Sequence, residues 1–166
     1  MRKTLEVVGL GMLAVLYWIT WTALNGPDHL PGRIPTHFDR AGNPNAWGSP
    51  VMLMFLPIVA TGVYLLITVL ASIPATRINL PVQVTEVNLP FIQQQTRNMV
   101  SWVKVEMVCL FTYVQWTIIQ AARNSEFRIS PAMIPVFLLC VLGTVGIYLA
   151  MIITGARGRT NSPDSR

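Results

Sequence analysis

Met133-Ile-Pro-Val-Phe-Leu-Leu-Cys-Val-Leu-Gly-Thr-Val-Gly-Ile-Tyr-Leu-Ala-Met-Ile-Ile-Thr154 contains no charged side chain. At about 1.5 Å per residue, a helix of that length crosses the roughly 30 Å hydrocarbon layer of a bilayer. In lipid such a run has to be helical, because its N–H and C=O groups find no water and must satisfy one another. Read outward from it, the chain holds three more apolar runs of spanning length, at residues 5–24, 51–73 and 99–122. They account for an overall charged content of only 11%, against about a quarter in an ordinary soluble domain. The expected fold is therefore all-α and integral to the membrane, a four-transmembrane-helix bundle.

The connections complete the plan. Residues 1–73 form a helix–loop–helix unit with an ordered Pro/Gly-rich extracytoplasmic loop at 25–50; a cytoplasmic loop at 74–98 leads to a second helical hairpin at 99–156, whose last span starts at Pro131; and a polar tail at 157–166 is expected to be disordered. Ser49-Pro50 and Ser130-Pro131 read as helix starts, with serine placed to cap and proline harmless in the first turn. Pro57 and Pro135 follow within those helices and each removes a backbone hydrogen bond. In the middle loop Arg77-Ile-Asn-Leu-Pro81 is echoed by Val87-Asn-Leu-Pro90, with an extended stretch expected at 82–86 and a helical extension from Pro90 onward.

The net charge is +5. Lys and Arg near the helix ends favour both termini and the middle loop on the cytoplasmic side. No basic face interleaved with aromatics is present, so no nucleic-acid partner is expected and the lipid bilayer is the first one. Met-Arg-Lys before an apolar run suggests a signal peptide, yet the run is long and no small-residue cleavage site follows, so an uncleaved first helix is expected. Cys109 and Cys140 fall inside spans and suggest neither a disulfide nor a metal framework. No cofactor is expected.

The loop between the first two spans is the densest in chemistry: Leu30-Pro31-x-x-Ile34-Pro35-x-His37-Phe38-Asp39-x-x-Gly42-x-x-x-x-Trp47-Gly48. Prolines restrict the backbone around Ile34, Gly42 admits conformations other residues resist, Asp39 is placed to accept turn N–H groups, and Trp47 suits a membrane interface. His37 is open to three readings: a structural histidine hydrogen-bonded to loop backbone, a contact to a ligand or partner, or a metal or proton site with His29 and Asp28 or Asp39. Zinc normally takes three or four ligands in a recognisable spacing, so the metal reading has little behind it.

This pattern resembles the signature of the domain-of-unknown-function family 1648, over about twenty residues within a helix–loop–helix frame that covers roughly the first seventy. Asn45 stands where that family commonly has an aspartate, and Pro50 where a lysine is frequent. The resemblance implies a bacterial cell-membrane protein akin to the Sdp immunity (SdpI-like) proteins, which protect against a secreted toxin and signal its presence. It implies an unknown peptide or membrane-protein partner for the loop.

In the third span Glu106, Tyr113 and Gln120 recur every two helical turns and give one polar line through the membrane. Glu106 reads either as a proton or ion site or as a paired or hydrated group near the inner interface; Lys104 is expected to project from nearly the opposite side and snorkel to that interface. Gly143 with Gly146, and Gly9 with Gly11, suggest close helix contacts. Three functions remain in view. One is non-enzymatic recognition through the outer loop, for immunity or signalling. Another is an accessory subunit of a larger membrane assembly, suggested by the lack of a large soluble domain and by aromatic-rich helix faces, notably Trp102 and Trp116. The third is a small transporter or intramembrane enzyme built on Glu106, with no catalytic motif to support it.

Overall fold

The computed structural model describes residues 1–73 and 82–160. The chain runs α1 (Arg2–Asn25), β1 (Ile34–Phe38), β2 (Pro44–Gly48), a 3-10 turn (Pro50–Met54), α2 (Phe55–Leu70), α3 (Leu89–Arg123) and α4 (Met133–Thr160). Among the described residues four helices, with the 3-10 turn counted into the second, are long and apolar enough to cross a membrane. The protein is thus mostly helical, and among the described residues the one departure from the all-α expectation is the short β-hairpin in the loop after α1.

α3 is the centre of the bundle. It packs against α1, α2, α4 and β1. Its 35 residues extend roughly 50 Å, well past a hydrocarbon layer of about 30 Å. The excess lies at its start, where Pro90 occupies a first-turn position and residues 89–98 continue the helix as the sequence suggested. Three apolar clusters follow the bundle from end to end. Leu13, Leu16, Ala60, Tyr64 and Val108 join α1, α2 and α3 in the middle. Ala23, Ile34, Leu53 and Ile119 close the end that carries the hairpin. Ile92, Ile152 and Ala156 join α3 to α4 at the end that carries Met1, with Val82 and Val84 against them.

Several details differ from expectation for physical reasons. Ser49 flanks the turn before α2, yet its side chain caps nothing; its carbonyl instead accepts the Met52 N–H at 3.0 Å and starts a 3-10 turn. Residues 157–160, expected in the disordered tail, continue α4. Arg157 and Arg159 suit the negative end of the helix dipole, and the Arg159 guanidinium lies 3.8 Å from the centre of the Phe91 ring. The rest of that tail, and the Arg77–Pro81 half of the echoed motif, lie outside the described residues. Gly9 does face a neighbour, the Tyr64 ring, but nothing lies within 4 Å of where a side chain would begin on Gly11, Gly143 or Gly146. The expected close contacts at those three are therefore not made among the described residues.

Candidate functional site

β1 and β2 pair antiparallel, with Ile34 opposite Gly48, Pro35 opposite Trp47, His37 opposite Ala46 and Phe38 opposite Pro44. The register slips on either side of His37. Pro35 and Pro44 have no N–H to donate to the ladder, which limits regular pairing, and a bulge re-aims the residues beside it. As a result Thr36 and His37, adjacent in sequence, are both exposed.

Three fastenings hold the hairpin. At its root Ile34 is 1% exposed, set among Ala23, Leu53 and Ile119. At its tip the Asp39 carboxylate accepts the N–H groups of Ala41 and Asn43, both at 2.9 Å, and the Asn43 side-chain amide. The Asn43 backbone bond, helped by its side chain and by the more distant charge of Arg128, holds the Asp39 carboxyl below the ordinary carboxylate range. The third fastening is Gly42, whose φ of +80° is a left-handed conformation. Its carbonyl accepts the Ile129 N–H at 3.2 Å, and a Cβ placed on it would lie 1.9 Å from the Ile129 carbonyl oxygen. The hairpin tip is thereby seated on the α3–α4 connection. Gly48 is likewise crowded, by Thr36 and Met52.

On this fixed frame the exposed residues of the two strands are Thr36, His37, Asn45, Ala46 and Trp47. His37 Nδ1 lies 2.5 Å from Asn45 Oδ1. An amide oxygen only accepts, so Nδ1 is the donor and Nε2 is left uncommitted. The histidine is thus bonded to a side chain, at the position where a family aspartate would sit, and not to loop backbone. Trp47 is 46% exposed. Phe38 is half-buried, and Pro31 is exposed ahead of the hairpin. His29 and Asp28 are exposed too, and among the described residues no three of His, Cys, Asp and Glu come together as a metal-holding group.

The polar residues within the bundle are arranged differently from the expected line. Glu106 accepts the Thr144 hydroxyl of α4, while its other carboxylate oxygen is buried without a partner. Glu106 and Tyr113 share a largely apolar groove of about 560 Å³ between α3 and α4; Gln120 is outside it. Lys104 does not snorkel away. It is 3% exposed and turned into the bundle, where its ammonium meets both oxygens of Glu6 at 2.6 and 2.7 Å and the Thr68 hydroxyl at 3.1 Å. Tyr64 and Ser101 also donate to the Glu6 carboxylate, and the Tyr64 ring lies under the ammonium. The correction has a simple cause: a lysine in lipid reaches for water only when no acid is nearer, and Glu6 on α1 is nearer.

Gln115 was also missed. Its amide donates to Thr20 Oγ1 at 2.8 Å and to the Leu53 carbonyl at 3.0 Å. Leu53 lies four residues before Pro57, so it is the carbonyl that the proline's absent N–H would have bonded. Both omissions had a signal in the sequence: an acid inside the first apolar run, and a helix proline whose orphaned carbonyl requires a donor from elsewhere.

Residues 12–61, which include the hairpin with most of α1 and the start of α2, match the family model described as a domain of unknown function, DUF1648. No curated protein and no solved structure matches the chain.

Proposed function

We propose that the protein recognises a peptide or protein partner through the outward face of the hairpin, without catalysing a reaction on it. One observation carries this reading. The hairpin is fastened at its root, its turn and its tip, yet it leaves Trp47 and the His37–Asn45 pair in the open. A preorganised surface loses little conformational freedom on binding, and an exposed aromatic beside adaptable polar groups is a common binding anchor. His37 Nε2 offers an acceptor to a backbone N–H or hydroxyl, and Trp47 offers apolar area. The resemblance to Sdp immunity proteins adds the biological frame. The partner is a secreted toxin peptide, the outcome immunity or signalling, and the site a bacterial cell membrane with both termini in the cytoplasm and the hairpin outside.

The test is protection. Cells expressing the protein are exposed to medium from a strain that secretes a membrane-active peptide toxin, and survival is compared for the wild type, His37→Ala and Trp47→Ala. Survival should fall at least tenfold for each variant while the amount inserted in the membrane is unchanged. Equal survival at equal amounts would refute the reading.

A second reading, an accessory subunit of a larger membrane assembly, is favoured by α4. Only 6% of its most apolar window is buried within the chain. Gentle extraction followed by sizing decides it: a monomer or homodimer argues against a larger assembly.

A further inference from the structure

At the end of the bundle that carries Met1, Arg2 of α1 and Arg97 of α3 face a cavity of about 190 Å³ whose lining also includes Glu6, Ser72, Ser101 and Lys104. A second cavity, about 350 Å³, shares the same two arginines and adds the amide side chains Gln93, Gln94 and Asn98. The charges do not cancel. Among the described residues, Glu6 is the one carboxylate lining either cavity. Its oxygens are already taken by Lys104, Tyr64 and Ser101. Among the described residues neither Arg2 nor Arg97 has an ion pair.

Two guanidiniums that cannot lose their charge, bordered by the amide side chains of Gln93, Gln94 and Asn98, present donors suited to an anion. Their planar forks match the oxygens of a phosphate, which two arginines can each bind through parallel N–H bonds. Arg2 opens α1 just before its apolar run, and the end of a spanning run is where a bilayer's headgroup layer is expected. Basic pockets between helix ends are recurrent sites for anionic lipid headgroups.

We propose that this pocket binds a phosphate group, with the size and depth to take it from the headgroup of an anionic phospholipid. The experiment is thermal unfolding of the purified full-length protein in neutral detergent, titrated separately with phosphatidylglycerol, phosphatidylcholine and inorganic phosphate. Phosphatidylglycerol should raise the melting temperature at concentrations where phosphatidylcholine does nothing. An Arg2→Gln/Arg97→Gln double variant should need at least tenfold more of it for the same rise, and each single variant should show part of that loss. The variants' own melting temperature and helicity without lipid serve as the control for folding. If inorganic phosphate matches phosphatidylglycerol at equal concentration, and the variants lose that response, the pocket is a phosphate site and the lipid assignment is overturned. If phosphatidylcholine equals phosphatidylglycerol, the assignment to an anionic headgroup is overturned, and if the variants respond as the wild type does, the whole proposal is overturned.

Discussion

Glu6 and Lys104 are an unequal pair. The lysine side chain is 2% exposed and the glutamate 30%. Removing one partner of a buried pair costs about 3–5 kcal/mol, because the other charge is left stranded. Glu6→Gln strands a buried ammonium and should fall in that range. Lys104→Met leaves a partly solvated carboxylate that still accepts Tyr64 and Ser101, so it should cost distinctly less. Chemical or thermal unfolding in micelles measures both, and an equal or inverted order would contradict the asymmetry. Asp39 makes a different prediction. Its carboxyl is held below the ordinary carboxylate range by the Asn43 N–H and its companions. The turn is therefore fully stabilised above the unfolded value of about 4 and loses that contribution as pH falls through the lower, folded value. Trp47 fluorescence should report hairpin loosening in that acidic window, and Asp39→Asn should remove the step.

At the level of elements, α2 and the hairpin each depend on a contact from outside themselves. Gln115 from α3 completes the Leu53 carbonyl that Pro57 leaves open. Gln115→Leu should cost about 1–3 kcal/mol, the usual penalty for a buried acceptor left unpaired. Pro57→Ala restores a helical N–H to that carbonyl, so Gln115→Leu made in the Pro57→Ala background should cost markedly less; a double-mutant cycle with no coupling would refute the assignment. For the hairpin, Gly42→Ala imposes about 1–2 kcal/mol from the left-handed backbone alone, and the clash with Ile129 adds to it. The expected result is protease sensitivity confined to the hairpin and the α3–α4 connection. The helices were legible in the sequence because lipid leaves an apolar run no other choice. The hairpin was not: Pro35 and Pro44 sit inside its strands, where proline normally argues against a strand, and the slipped register breaks the alternation that would have shown it. The turn at Asp39 and Gly42 was readable because its chemistry is local. The partners of Lys104, Gln115 and His37 were not, because they come from other helices or from across the hairpin.

The whole molecule is lopsided. α1, α2 and α3 bury one another, while among the described residues α4 packs chiefly on α3, with no atom within 4 Å of where a side chain would begin on Gly143 or Gly146. Replacing both glycines with leucine should therefore not destabilise the isolated monomer, and leucine's better helix propensity should add up to about 2 kcal/mol. If α4 is where a larger assembly attaches, the same change should shift the size of the gently extracted particle, which sedimentation or sizing reads directly.

The ion pair that ties α1 to α3 also sets a timetable for biogenesis. Its two residues are 98 positions apart, a gap that a ribosome adding about 5–20 residues per second takes roughly 5–20 s to cover. For that interval the newly inserted α1 carries a carboxylate whose ammonium partner has not yet been synthesised. The insertion machinery, or the headgroup layer, has to shelter Glu6 until Lys104 emerges, so α1 reaches its final seat only after α3 has entered the bilayer.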